Sequence, residues 1–271
     1  MNNRLIAFGT TFKKMCFLGL FLFLPTRAMA WGMLGHRIVG EIADSYLTAK
    51  ARAKIKAILG NESIAMASNW ADFIKSDRSY AYLSNWHYVD LDKPYTYPEL
   101  HAFLKSDTST NAYTRINFLT AQLKKSGISQ SEKVMYLRLL IHIAEDIHQP
   151  FHVGHTDDQG GNGFKVNWFN KPINMHSLWD SELIESQQLS YTEYARAINF
   201  TTPAERASLW KEDLTKWIYD SHIIVEKLYT DVKPDDKLGY RYNFDHLALL
   251  NQQLLKGGVH LAGLLNQVFG G

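Results

Sequence analysis

The clearest periodic stretch leads into HIAEDIHQPFH, residues 142–152. Leu137, Leu140, Ile141, Ala144 and Ile147 recur at helical spacing, which predicts a helix that crosses the core and carries its polar residues inward at the margin of an apolar stripe. The spacing starts this helix at Ser131 and ends it at Pro150, whose ring forbids a further helical turn. Upstream, Ile38, Ile42 and Tyr46 mark one helix, and Ala49 to Leu59 a second closed by Gly60. Ser68 to Ser76 reads as a short helix capped at Ser68 or Asn69, and Asn111 to Lys125 as another ended by Gly127. Ser84 to Asp90 alternates weakly and reads as extended or irregular, leading into the proline-bearing loop Leu91 to Pro98. Gly160, Gly161 and Gly163 interrupt regular structure, and Phe164 to Trp168 with Ile173 can form a small hairpin turning at Asn170-Lys171. Amphipathic helices follow over Tyr191 to Ile198, Pro203 to Tyr229 and Phe244 to Val268. The expected fold class is all-α: a single compact helical domain with long loops and at most a small β-hairpin.

Residues 1–30 break this pattern. Arg4, Lys13 and Lys14 precede the apolar run Met15 to Leu24, and Ala28-Met29-Ala30 follows it. That is the layout of a secretory signal peptide cleaved after Ala30. The run is short for a membrane anchor, and lipidation at Cys16 is disfavoured by its Lys14-Met15 approach. The mature chain then starts at Trp31, secreted or periplasmic, without a membrane anchor and without any cysteine. Its stability must come from a core or from metals. Charge changes too. Four of the 29 basic residues and none of the 27 acidic ones lie in 1–30, leaving 25 against 27, formally −2. A generally basic nucleic-acid-binding surface is therefore no argument for function here. With 46% hydrophobic residues, no repeat and no long linker, residues 31–271 are expected to form one domain with a substantial core.

The chemistry-bearing residues sit on the predicted elements. His142 and Asp146, four apart, share a helix face with about 5–6 Å between Cβ atoms, so an imidazole and a carboxylate can bind one ion; the same spacing also serves an ordinary hydrogen-bonded core pair. His152 enters from the loop after Pro150. A second pair at the same spacing, His176 and Asp180, follows the hairpin. His36, five residues beyond Trp31, either caps a helix or grips a metal together with the freed α-amine. Asp72 lies on the short helix, and His87 and Asp90 lie beside Trp86 and Tyr88, aromatics that serve core packing or stacking. The GGNG run lacks the lysine and hydroxyl of a phosphate loop and reads as a turn holding Asn162 near the site. His222, His246 and His260 lie on the C-terminal helices without carboxylate partners at metal spacing and read as structural. Trp31, His36, Asp72, His87, His142, Asp146, His152, His176 and Asp180 supply five imidazoles, three carboxylates and one amine. That donor set suits zinc with an open coordination position and is too large for one ion.

The start WGxxGH, the segments SNWAD and WHYVD, then HIAEDIHQPFH, GGN and HSLWD, in this order from Trp31 to Asp180, resemble the secreted zinc-dependent single-strand nucleases of the S-one and P-one type. The resemblance implies a trinuclear zinc cleft. One ion would be held by Asp72, His87, His142 and Asp146, a second by the Trp31 amine and carbonyl with His36 and Asp146, and a third by His152, His176 and Asp180. Tyr88 and Asp90 would bind a base by stacking and by hydrogen bonding its edge. Lys75 stands where many relatives have arginine, keeping the charge for phosphate stabilisation without the bidentate fork. With Asp72 and Asp146, Lys75 completes the expected catalytic set.

Hydrolysis of single-stranded DNA and RNA to 5′-phosphate products would proceed by attack of a zinc-bridging hydroxide, and 3′-nucleotidase activity is a further possibility. Three zinc ions against three aspartates leave the cleft at roughly +3, enough to attract phosphodiesters to an acidic protein. Single strands or nucleotides are the expected partners, because a duplex hides its stacking faces, and no stable protein partner is implied. The related zinc-dependent phospholipases C, acting on lipid head groups, are the alternative. They have a wider gap between the N-terminal tryptophan and the first histidine, and a glutamate as last ligand where this chain has Asp180.

Overall fold

The computed structural model describes residues 31–270, so the segment read as a signal peptide lies outside the described residues. In chain order the helices are α1 (Met33–Ser45), α2 (Ala49–Leu59), α3 (Ile64–Ala67) and α4 (Trp70–Ile74). A 3₁₀ helix at Arg78–Trp86 follows, then α5 (Tyr97–Ser106), α6 (Ala112–Leu123), α7 (Gln130–Asp146) and a 3₁₀ turn at Pro150–Val153. After the strands β1 (Lys165–Trp168) and β2 (Lys171–Asn174) come α8 (Met175–Ser177), a π-helical turn at Leu178–Glu182, α9 (Leu183–Glu185) and α10 (Tyr191–Ile198). The chain ends with α11 (Pro203–Leu209), α12 (Leu214–Asp231), β3 (Lys237–Leu238) and α13 (Tyr240–Phe269). The fold is all-α with a small sheet. Among the described residues no helix is long and apolar enough to cross a membrane.

Helix α7 lies at the centre, packed by α1, α2, α3, α4, α6 and α13. It starts one residue earlier than the periodicity suggests, because Ser129 and Glu132 form a capping box that satisfies the first free amides. It ends at Asp146, four residues before Pro150, rather than at the proline itself. Its burial also exceeds an amphipathic stripe: every residue from Leu139 to Gly154 is buried, so His142, Glu145 and Asp146 have no solvent face to turn to. A buried polar group costs free energy unless it is bonded, which makes this segment the natural wall of a site.

Two apolar clusters flank it. Leu100, Leu119, Leu137 and Leu265 belong to one; Trp31, Ile38, Phe151, Trp179 and Leu250 belong to the other. The segment after His87 is pinned to the segment after Pro150 by backbone bonds, Val89 N to His152 O at 2.8 Å and Leu91 N to Gly154 O at 2.9 Å. These bonds carry His87, Tyr88 and Asp90 to His152.

Several expectations are corrected. Ser84 to Trp86 is the end of the Arg78–Trp86 3₁₀ helix, not an extended run. The loop assigned to residues 91–98 gives way at Tyr97 to α5, whose capping box pairs Thr96 with Glu99. The hairpin turns at Phe169 and Asn170, both at positive φ, one residue earlier than expected. A third strand, β3, pairs parallel with β1, extending the hairpin to three strands in the order β2-β1-β3. The helix expected over Pro203 to Tyr229 is two, because Asp213 caps a new helix at Lys216 N, and the last helix begins at Tyr240 rather than Phe244.

Candidate metal centre

His142 and Asp146 sit one turn apart on α7, and the tautomer of His142 is set from outside: its Nδ1 donates to the Ser68 carbonyl at 2.6 Å, which leaves Nε2 with a free lone pair. That lone pair faces Asp146 Oδ2 at 3.2 Å, Asp72 Oδ1 at 3.8 Å and His87 Nδ1 at 2.9 Å. His87 Nδ1 is itself 3.0 Å from Asp146 Oδ2. On the other side, His36 Nε2 lies 3.4 Å from Asp146 Oδ1 and 3.9 Å from Asp72 Oδ2. Asp146 thus presents one oxygen to each half of this group.

The second cluster is built in the same way. His152 Nδ1 is held by the His87 carbonyl at 2.8 Å and His176 Nδ1 by the Gly160 carbonyl at 2.5 Å. Their Nε2 atoms face Asp180, at 3.9 Å from Oδ1 and 3.3 Å from Oδ2. Gly160 fits here because its φ is +61° and an added Cβ would collide with the Phe151 carbonyl. The GGNG turn therefore does more than bring Asn162 close, since its first glycine fixes a histidine.

The atoms that converge are the ones left without hydrogen bonds. His36 Nε2, Asp72 Oδ2, Asp146 Oδ1, His152 Nε2 and His176 Nε2 are buried and unpartnered. An unsatisfied buried polar atom costs on the order of 1–3 kcal/mol, so five of them at one place call for a ligand. Lone pairs from imidazole and carboxylate converging in the absence of enough protons form a cation site. The triads His36/His142/Asp146, Asp72/His87/His142 and His152/His176/Asp180 each bring their ligand atoms within 4.8 Å of one another. Three buried groups can therefore hold metal ions.

Electrostatics favours the ligating forms of most of these groups; His142 is the histidine that goes the other way, raised against its burial by Asp146 and Asp72 beside it. Burial pushes His87 and His152 down to about 4 and His176 to about 3, so all three are neutral at pH 7. Burial alone would raise Asp72, but His142 and Lys75 beside it outweigh burial and hold it at about 2. His142 and His152 likewise keep Asp146 well below the usual carboxylate range against its burial. Asp180 goes the other way, raised well above that range by burial despite the amide of Gln149, which donates to its Oδ1 at 2.5 Å.

A cleft of about 240 Å³ opens onto these groups, lined by His87, His152 and His176 together with Lys75, Tyr88, Asp90 and Asn162. The four positions expected to meet substrate rather than metal are all in it, whereas Trp31, Asp72, Asp146 and Asp180 are not among its lining residues. Lys75 Nζ reaches Asp72 Oδ1 at 2.6 Å, and Asn162 Nδ2 donates to the Gln159 carbonyl at 2.9 Å. Tyr88 is half-buried, and burial with the charge of Asp158 pushes Asp90 up to about 6. Trp31 is fully buried, its indole donating to the Glu145 carbonyl at 3.0 Å. The placement of its main-chain nitrogen as an amine depends on the bond to residue 30, outside the described residues.

Sequence reasoning missed Glu145 and Gln149. Glu145 Oε2 meets His36 Nδ1 at 2.5 Å across a separation of 109 residues, and Gln149 joins Asp180 to the Phe151 amide. An acid doublet closing the apolar second half of α7, after Leu139-Leu140-Ile141, is the available signal. The reading of His222 as lacking a carboxylate at metal spacing is corrected, since Glu226, four residues on, lies 3.7 Å from its Nε2; His260 finds its carboxylate far away in the sequence, Glu212 at 3.2 Å from Nε2. His222 also bonds the Val153 carbonyl and the Tyr95 amide, a bridging role between segments.

The family model described as S1/P1 Nuclease matches residues 31–270. Endonuclease 4 of Arabidopsis thaliana is 30% identical over 89% of this chain and 90% of its own length. Nuclease P1 of Penicillium citrinum is 26% identical over 89% of this chain and 98% of its own length. Nuclease S1 of Aspergillus oryzae is 29% identical over 63% of this chain and 60% of its own length. A match over nearly all of the described residues, on a fold whose buried histidines and aspartates converge on one cleft, places the chain in the S1/P1 nuclease family, a family of hydrolases acting on the ester bonds of nucleic acids.

Proposed function

We propose that the protein is a secreted or periplasmic zinc-dependent nuclease that hydrolyses single-stranded DNA and RNA to 5′-phosphate products. The observation that carries this reading is the set of five buried, unpartnered ligand atoms beside a cleft lined by Tyr88 and Asp90. The donors are nitrogen and oxygen without sulfur, which suits zinc. Asp72, His87, His142 and Asp146 would hold one ion, Trp31, His36 and Asp146 a second, and His152, His176 and Asp180 a third. Zinc bound there would supply Lewis acidity, bringing the pKa of a water from about 15.7 toward about 7 and offsetting phosphodiester charge.

The chain's own residues do the rest. Tyr88 offers its ring to a splayed base, worth about 1–3 kcal/mol of stacking, and Asp90 accepts from the base edge. A duplex cannot present that face, so the cleft selects single strands. Lys75, held by Asp72 at the cleft wall, brings a positive charge to the phosphate, and Asn162 borders the same space. Asp146 joins the two halves of the larger cluster through its two oxygens.

The test is a side-by-side measurement of zinc content and of turnover on denatured DNA, RNA, duplex DNA and phosphatidylcholine micelles. About three zinc ions with single strands hydrolysed well ahead of duplex is the expected result. Hydrolysis of the micelles with none of the oligonucleotides would reassign the cleft to a phospholipase.

A further inference from the structure

Three of the five histidines at the centre hold Nδ1 against a backbone carbonyl: His142 on Ser68, His152 on His87 and His176 on Gly160. His87 turns Nδ1 into the site itself, toward Asp146 Oδ2; of the four rings that turn Nε2 inward, His36 alone backs its Nδ1 with a carboxylate, Glu145 Oε2 at 2.5 Å, and both side chains are fully buried. Glu145 has no lysine or arginine partner among the described residues, and its other oxygen, Oε1, is buried and unpartnered. A buried carboxylate without a compensating charge is costly, so the ionised form of Glu145 is favoured here only with a cation close by. Glu145 also accepts the Trp31 indole on its backbone carbonyl at 3.0 Å, and its neighbour in the chain is Asp146. One residue of α7 therefore registers both ends of the segment from Trp31 to His36 against the bridging carboxylate.

We propose that Glu145 is a positioning residue of the metal centre: its carboxylate accepts the Nδ1 proton of His36, which fixes Nε2 as the atom that meets the cation beside Asp146. The inference rests on the metal reading of the cluster. Two proton arrangements share these heavy-atom positions. Either the carboxylate accepts from Nδ1–H, or a carboxylic acid donates to Nδ1 and the ring proton sits on Nε2. A cation drawn to Asp146 Oδ1 and Asp72 Oδ2 repels an Nε2 proton and selects the first arrangement. A carboxylate behind a ligating imidazole also makes that imidazole the stronger donor, so His36 is the ring whose affinity depends most on its partner.

The experiment uses the protein beginning at Trp31 and loaded with zinc. Nitrogen-15 spectra of its histidine side chains are expected to show His36 protonated on Nδ1. Competition with a chromophoric chelator is expected to show one zinc bound about 10- to 100-fold more weakly in Glu145→Leu, with the others unchanged. Glu145→Gln, which keeps an acceptor but not the charge, should recover most of that loss. His36 protonated on Nε2, or a folded leucine variant with wild-type affinity for every ion, overturns the role of Glu145. Should the leucine variant fail to fold, the wild-type spectrum decides. Wild-type protein that takes up no zinc overturns the metal reading, and this inference with it.

Discussion

At Asp146 the two carboxylate oxygens are divided: Oδ1 lies 3.4 Å from His36 Nε2, while Oδ2 lies 3.0 Å from His87 Nδ1 and 3.2 Å from His142 Nε2. An amide offers one oxygen and a hydrogen-bearing nitrogen, so Asp146→Asn cannot serve both sides. It should lose bound zinc and cut turnover by more than the ~100-fold that follows loss of a supporting partner. Near-normal turnover with full zinc content would show that Asp146 does not bridge. At Tyr88 the expectation differs in kind. The ring is half-buried beside the cleft, and stacking holds substrate and transition state about equally. Tyr88→Ala should therefore raise KM by about 5- to 150-fold, the equivalent of 1–3 kcal/mol, and lower kcat much less. An unchanged KM on oligonucleotides would remove Tyr88 from the substrate site.

Among the elements, the turn at residues 159–163 is the most exposed to a single change. Gly160 at φ +61° combines a left-handed backbone with a carbonyl that orients His176, so Gly160→Ala strains the turn and moves that carbonyl. Zinc analysis should find roughly one equivalent lost, with the His36 and His142 ions retained. Full zinc content at wild-type thermal stability would mean that the turn does not support the histidine. The sequence made the local features legible: α2 closed by Gly60, α6 capped by Asn111, and the two histidine–aspartate pairs at four-residue spacing all read directly from periodicity and capping chemistry. What stayed hidden depends on distant partners. The β3 strand is only Lys237–Leu238 and exists by pairing with β1, while Glu145 declares its role only when α1 packs against α7. The 3₁₀ helix before His87 lacked a hydrophobic period that could separate it from an extended run.

For the molecule as a whole, pH and stability are coupled through the histidines. The folded chain holds His87 and His152 at about 4 and His176 at about 3, whereas unfolded histidine titrates near 6.5. Between those values the unfolded chain binds protons that the folded one refuses. Their contribution is therefore complete above pH 6.5 and is lost as pH falls toward 4, at about 1.4 kcal/mol per histidine per pH unit. Asp180 and Glu145, whose carboxyls burial raises, act in the opposite sense over the same range, so urea denaturation of chelator-treated protein should show a lower midpoint at about pH 5 than at about pH 7.5 only by the margin with which the three rings outweigh them. A midpoint that does not fall toward pH 5 would mean that the rings do not outweigh those carboxyls.

The burial of Trp31 brings the candidate metal centre to the first of the described residues. Its side chain is fully enclosed, its indole is tied to Glu145 and the next amide is tied to Asp180 O at 2.8 Å, so position 31 is locked between two of the segments that carry the candidate metal ligands. A nitrogen at this position is a ligand only as a free amine, because in a peptide bond its lone pair is delocalised and unavailable. Enzymatic competence would then be conferred by a protease at the membrane rather than by folding, a safety catch that spares the RNA of the cell making the protein. Protein made with one extra methionine before Trp31 should fold normally yet carry roughly one zinc fewer and hydrolyse single strands poorly beside protein starting at Trp31. Equal zinc and equal rates in the two would reduce Trp31 to a core aromatic and leave the catch without a mechanism.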